Sequence, residues 1–146
     1  MKFSTRTRYG VRAMLDLAFH YSGRPVLVKD IAKRQNISEK YLEHIMIILK
    51  KAGFVQSISG AKGGYILAKG PGEIKLSELV KVLEGSLAPV MCVDHKELCS
   101  KSDLCCVREV WVKVKERILG MLDSITLDDL VRKQRERRIK VLMYQI

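Results

Sequence analysis

The sequence predicts a mainly α protein with a small β-hairpin wing, a winged helix-turn-helix followed by a long dimerisation helix. Three observations predict it. Residues 29–52 read as two helices joined by a tight Asn36-Ile37 turn, the second opened by Ser38, whose hydroxyl can accept an orphan amide proton. Two short β-prone runs, 54–58 and 65–68, flank the glycine-rich Ser59-Gly60-Ala61-Lys62-Gly63-Gly64, a pattern that a hairpin accommodates. Residues 105–122 form a rod of roughly 27 Å. Its broad apolar stripe needs more cover than a chain of 146 residues easily offers, and a second subunit would supply it.

Taken in order, residues 7–21 place Val11, Met14, Leu15, Ala18 and Tyr21 at helical spacing, with Arg8, Arg12 and Asp16 elsewhere on the wheel. Ser22-Gly23-Arg24-Pro25 ends that helix. A short helix over 29–35 turns Ile31 and Ala32 inward. The helix opened by Ser38 buries Leu42, Ile45, Met46 and Leu49, favours Glu39 at its positive end, and stops at Gly53. In the hairpin the glycines supply positive φ and Lys62 puts a cation near the tip.

After the Gly70-Pro71-Gly72 break, Ser77 is expected to cap a helix that runs to Leu83 or Glu84 and closes at Gly85. Residues 86–104 show no sustained period and are expected to form one functional loop of about nineteen residues. In the long helix the stripe is Val107, Val110, Trp111, Val114, Ile118 and Met121 or Leu122. Thr126 caps a last helix with Asp128 and Asp129 in its first turn and a basic run over 132–140. The tail 141–146 is apolar enough to dock. The expected division is 1–85 for DNA binding, 86–104 for the cysteine loop, and 105–146 for dimerisation and a C-terminal helix packing on the DNA-binding domain.

The formal net charge is +11, and residues 1–70 carry thirteen Lys or Arg against four Asp or Glu. A polyanion is the natural partner of that half, whereas residues 71–125 are close to neutral. No apolar run approaches a membrane span, and Met1-Lys2-Phe3-Ser4 opens no signal peptide, so a cytoplasmic location is expected, with no membrane partner. The three histidines are scattered at 20, 44 and 95 and form no catalytic motif, so the chain is not expected to be an enzyme.

All four cysteines fall within residues 92–106. In a reducing compartment clustered thiols are ligands or redox groups, and thiolates suit an iron-sulfur cluster or zinc. The spaced thiols Cys92, Cys99 and Cys105 are candidates for three of the ligands. The fourth is open among His95, Cys106 and Glu109, with Asp94, Glu97 and Asp103 also nearby. Neighbouring side chains seldom converge on one site, so Cys106 beside Cys105 is expected to be a buried thiol at the helix start.

For DNA, the exposed face of the capped helix offers Ser38, Glu39, Lys40, Tyr41, Glu43 and His44, with Lys62 in the wing and Arg8 and Arg12 on phosphates. Glu43 would accept from cytosine and repel phosphates elsewhere.

Several stretches together resemble the Rrf family of bacterial winged-helix transcription regulators, and within it the IscR type that senses an iron-sulfur cluster. They are Arg8-Tyr9-Gly10 with Ala13-Met14-Leu15-Asp16, Ile31-Ala32 to Ile37-Ser38, Tyr41-Leu42-Glu43, the wing 60–65, the three spaced cysteines, Val110-Trp111 and Ile125-Thr126-Leu127. The resemblance covers nearly the whole chain. It implies a homodimer on double-stranded promoter DNA, with recognition helices in major grooves and wings in flanking minor grooves. It also implies a [2Fe-2S] cluster on Cys92, Cys99 and Cys105, filled by iron-sulfur cluster donors and reporting demand for cluster assembly. Glu43 matches a residue that discriminates between operator classes. Two departures stand out. Arg108, which cannot deprotonate to bind iron, replaces a histidine ligand, and Ser59 replaces a wing arginine, shifting minor-groove contact to Lys62. The alternatives are a cluster-based sensor of nitric oxide or iron, a relative that binds a partner protein, and a cluster-free or zinc-binding redox protein.

Overall fold

The computed structural model describes residues 1–145. It contains α1 (Thr5–Phe19), α2 (Val28–Gln35), α3 (Glu39–Lys51), β1 (Val55–Ile58), β2 (Gly64–Leu67), α4 (Leu76–Glu84), α5 (Met91–Asp94), α6 (Cys106–Asp123) and α7 (Leu127–Tyr144). The strands pair antiparallel with Val55 opposite Leu67 and Ile58 opposite Gly64. Helix, turn, helix and hairpin in this order make a winged helix-turn-helix.

Local rules account for most boundaries. Ser38 accepts from the Tyr41 amide at 3.4 Å and opens α3 as expected. Thr126 and Asp129 cap α7 reciprocally, the Thr126 amide donating to Asp129 at 2.9 Å and the Asp129 amide to Thr126 at 3.1 Å. Asn36 closes α2 in a left-handed conformation at φ 53°, the tight turn between the two helices.

The core joins Met14, Ile31, Leu42, Ile45, Leu79 and Leu127. α1 lies at its centre, and the face it buries differs from the expected one. Thr7, Gly10, Ala13, Met14, Asp16, Leu17 and Ala18 are buried, whereas Val11 and Leu15 are half-buried and Tyr21 is exposed beyond the helix end. Small residues draw the neighbours in. A Cβ at Gly10 would stand 2.5 Å from Leu83 Cδ1, so the absence of a side chain there lets Leu83 of α4 pack directly on the α1 backbone, and any larger residue would make Leu83 shift. At the same crossing, Glu84 accepts from the Ser4 amide and hydroxyl, both at 2.9 Å, and from the Thr7 hydroxyl. Burial would raise the Glu84 pKa, but these hydrogen bonds outweigh it and hold the carboxyl below its usual value.

Three further expectations are corrected. Ser77 does not cap α4. The cap lies two residues earlier, at Lys75, whose amide donates to Glu78 at 3.1 Å, and Ser77 is buried, donating to Asp123 of α6 at 2.8 Å. Residues 86–104 are not one open loop, because they hold α5 and two tight helical turns, Lys96–Leu98 and Ser102–Leu104. Residues 141–144 do not dock on their own chain but continue α7 as exposed helix, and Ile146 lies outside the described residues. No residue of α6 is fully buried, and Val107, Val110, Trp111 and Met121 are exposed. α7 folds back on α1, with the Arg138 guanidinium 4.2 Å from the Phe19 ring centre. Among the described residues no helix is long and apolar enough to cross a membrane.

Candidate nucleic-acid interface and cysteine loop

α3 buries Leu42, Ile45, Met46 and Leu49 on one side. Its other side presents Ser38, Glu39, Lys40, Tyr41, Glu43 and His44, all exposed. The Tyr41 ring meets Tyr9 of α1 edge-on at 6.0 Å, and Arg8 and Arg12 flank Tyr9 at 5.9 and 5.5 Å. Two phosphate-binding candidates are thereby gathered beside the first turn of α3, through a tyrosine that sequence reasoning had used only as a family mark. Arg8 also donates to Thr5 at 3.1 Å, and Arg12 to the Gln35 side chain at 3.3 Å and to the Gln35 carbonyl.

The wing carries Ser59 and Lys62 exposed at its tip, turned by Gly60 at φ +104° and a 3.0 Å hydrogen bond from the Gly63 amide to the Gly60 carbonyl. Behind α3, Asp16 is buried and accepts from Arg34 at 2.6 and 3.0 Å and from Gln35 at 3.0 Å. This network joins α1 to α2 and was missed. Its signal is an aspartate flanked by Met14, Leu15, Leu17 and Ala18, where an unpaired carboxylate would be costly. The hydrogen bond from Arg34 to Asp16 is the main reason the guanidinium pKa is raised.

In the cysteine loop Cys92 and Cys105 are half-buried, Cys99 and Cys106 exposed, and all four thiols free. Cys106 is thus exposed and not the buried thiol expected at the helix start, and the half-buried Cys105 caps α6, its sulfur accepting from the Arg108 amide at 3.4 Å. Arg108 also explains its own presence. Its side chain donates to the Cys92 carbonyl at 2.8 Å and the Val93 carbonyl at 3.3 Å, binding the C-terminal end of α5 to the first turn of α6. Further along α6, Lys115 donates to Asp94 at 2.6 Å. That hydrogen bond, followed by one from Ser86, holds the Asp94 carboxyl below its usual pKa. Ser102, itself buried, staples the rest by donating to the Lys96 and Cys99 carbonyls, both at 2.8 Å.

The thiolate donor set suits an iron-sulfur cluster chemically. Among the described residues, however, no three His, Cys, Asp or Glu side chains are gathered where they could hold a metal ion. His95 lies 3.3 Å from Glu97, and His95, Cys106 and Glu109 are all candidates that the fold leaves apart from a common centre.

A capped, polar-faced helix, a basic wing and a basic flank define a winged-helix DNA-binding transcription regulator. The chain belongs to the Rrf2 family, whose model, described as an iron-dependent transcriptional regulator, matches residues 3–133. It is a regulator and not an enzyme. It is 43% identical over 132 residues to the protein rrf2 of Nitratidesulfovibrio vulgaris, covering 90% of this chain and 88% of that one. Two solved structures share the fold at a TM-score of 0.77. T. potens IscR is 44% identical, covering 94% of this chain and 90% of its own. CymR, the global cysteine regulator of B. subtilis, is 38% identical, covering 91% and 98%.

Proposed function

We propose that this chain is a cytoplasmic, dimeric, cluster-sensing regulator of genes for iron-sulfur cluster assembly, with a [2Fe-2S] cluster on Cys92, Cys99 and Cys105. The observation that carries the reading is the anchoring of the cysteine loop on α6: Arg108 and Lys115 fix α5 to the helix that Cys105 caps. The likeness to T. potens IscR supports it. When bound, the cluster supplies a redox-sensitive link among its ligands. The chain's own residues do the rest. Residues 1–85 bind DNA, the 86–104 segment holds Cys92 and Cys99 with Cys105 just beyond it at the start of α6, and the exposed α6 face, Val107, Val110, Trp111 and Met121, is covered by a second copy within 105–146. A dimer of this kind sets its two recognition helices about 34 Å apart, one turn of DNA. The fourth ligand is sought among His95, Cys106 and Glu109, and cluster donors load the site.

A second reading, a cluster-free regulator of the CymR kind, is favoured by the ungathered thiols and by Arg108. Anaerobic purification separates the two. The first reading expects a brown protein with visible [2Fe-2S] absorption and equimolar iron and sulfide, and Cys92→Ala should lose both. A colourless protein holding zinc or no metal, with DNA binding intact, would refute cluster sensing.

On DNA, Glu43 selects among operators by accepting from a base donor while repelling misplaced phosphates. Glu43→Ala should reduce the ratio of specific to non-specific affinity by about tenfold, about 1.4 kcal/mol and within the range of one base readout. Titration of a panel of duplexes would measure this, and unchanged discrimination would count against it.

A further inference from the structure

A cleft of about 630 Å³ separates the wing tip from the start of α2, lined by His20, Arg24, Asp30, Arg34, Lys62 and Gly63 among others. Two of its four basic residues are already engaged. Arg34 is held by Asp16 at 2.6 Å, and the His20 ring nitrogen lies 2.8 Å from the Asp16 carbonyl. Arg24 and Lys62 are exposed, and neither forms an ion pair among the described residues. Asp30 is the lone carboxylate of the lining; among the described residues it forms no ion pair, and its charge acts on Arg34, helping to raise that guanidinium's pKa.

Arg24 is placed by the wing itself. Two residues after it, Val26 exchanges hydrogen bonds with Tyr65 of β2, 2.8 Å in each direction, so this segment runs as a third, one-bridge strand beside the hairpin. The approach is possible because position 64 is glycine, since a Cβ there would stand 2.4 Å from the Val26 carbonyl oxygen. Arg24 is therefore tied to the wing although it lies thirty-eight positions from Lys62 in the chain. In the sequence it looked like part of a helix-ending turn.

We infer that Arg24 is a DNA-contacting residue, forming with Lys62 a two-sided clamp on the DNA backbone at the cleft between the wing and α2, each cation meeting a phosphate of its own. The partner class follows from charge and shape. Two unpaired cations line one open cleft on the half of the chain with the large basic excess, and a phosphodiester offers them an anion without base identity. The clamp fixes the angle at which the wing meets the duplex and adds affinity that does not depend on sequence. It rests on the DNA-binding reading and is independent of any cluster.

Binding of mixed-sequence duplexes at graded salt tests it, with no operator needed. Arg24→Ala and Lys62→Ala should each lower the slope of log affinity against log salt by about one unit, alike for duplexes of different composition, because each removes one cation from a phosphate. Arg24→Lys should keep most of the slope, which separates charge from any change in fold. A wild-type slope in Arg24→Ala would overturn the clamp. So would competition by inorganic phosphate at constant ionic strength that Arg24→Ala abolishes while its salt slope stays unchanged, because the cleft would then be a small-anion pocket. Failure of the unaltered protein to bind any duplex would overturn the DNA-binding reading together with the clamp, whereas normal wild-type binding with an unaffected Arg24→Ala sinks the clamp alone.

Discussion

Gly64→Ala is expected to destabilise the protein by about 3 kcal/mol and to detach the wing from its support. Position 64 has φ +143°, a region that side-chain-bearing residues rarely adopt. An added Cβ would also meet Val26 O at 2.4 Å and Val26 C at 2.6 Å, both backbone atoms that cannot swing aside. Strain of this kind costs about 1–3 kcal/mol, and parting the two segments forfeits the paired Val26 and Tyr65 hydrogen bonds at about 1 kcal/mol each. The Gly72→Ala variant is a fitting control, because nothing lies within 4 Å of a Cβ there. Urea denaturation should show a strongly lowered midpoint for the first variant and a stability change of less than about 0.5 kcal/mol for the second. Duplex affinity of Gly64→Ala should fall as well, since Arg24 and Lys62 then lose their common frame. Equal midpoints for the two variants would contradict the close approach.

Asp16→Ala should cost about 3 kcal/mol, the lower end of what is lost when one partner of a buried pair is removed. The lower end applies because the Arg34 side chain is 36% exposed and is rehydrated when its partner goes, whereas the Asp16 side chain is 2% exposed. Four hydrogen bonds from two residues of α2 converge on that carboxylate, so its loss frees the first helix of the helix-turn-helix from α1. A double-mutant cycle with Arg34→Ala should give a coupling of about 1.5 kcal/mol or more, as for contacting charged groups. Additive losses in denaturant titrations would mean that the pair does not act as a unit.

The two predictions differ in how far the sequence announces them. A glycine-rich wing is legible because turn chemistry acts over a few residues, and Gly60 and Gly64 do take positive φ. That Gly64 answers to Val26 is not legible, because the clash arises between segments far apart in the chain. The same division runs through the cysteine loop. Four thiols in residues 92–106 stand out by composition, and the nearby start of a long helix by its period. The sequence also showed that Arg108 departs from the family's ligand pattern, but its work as a bracket on the Cys92 and Val93 carbonyls appears only when α5 lies against α6. Ser77 makes the point in reverse. It has the chemistry of a helix cap, and the proximity of Asp123 turns it into a buried cross-link between α4 and α6 instead.

By itself, then, the sequence determined the order of helices and hairpin, the cap at Ser38, the exposed polar face of α3, the basic first half and the clustering of the cysteines. Each of these depends on periodicity, turn chemistry or composition, which are properties of residues close together in the chain. Tertiary structure alone decided which face α1 buries, that Asp16 holds Arg34, that Arg24 joins Lys62 at the wing, and that Cys105 and not Cys106 is the half-buried thiol at the start of α6. Those outcomes are set by whichever distant segment comes to lie alongside, and local patterning carries no record of that neighbour.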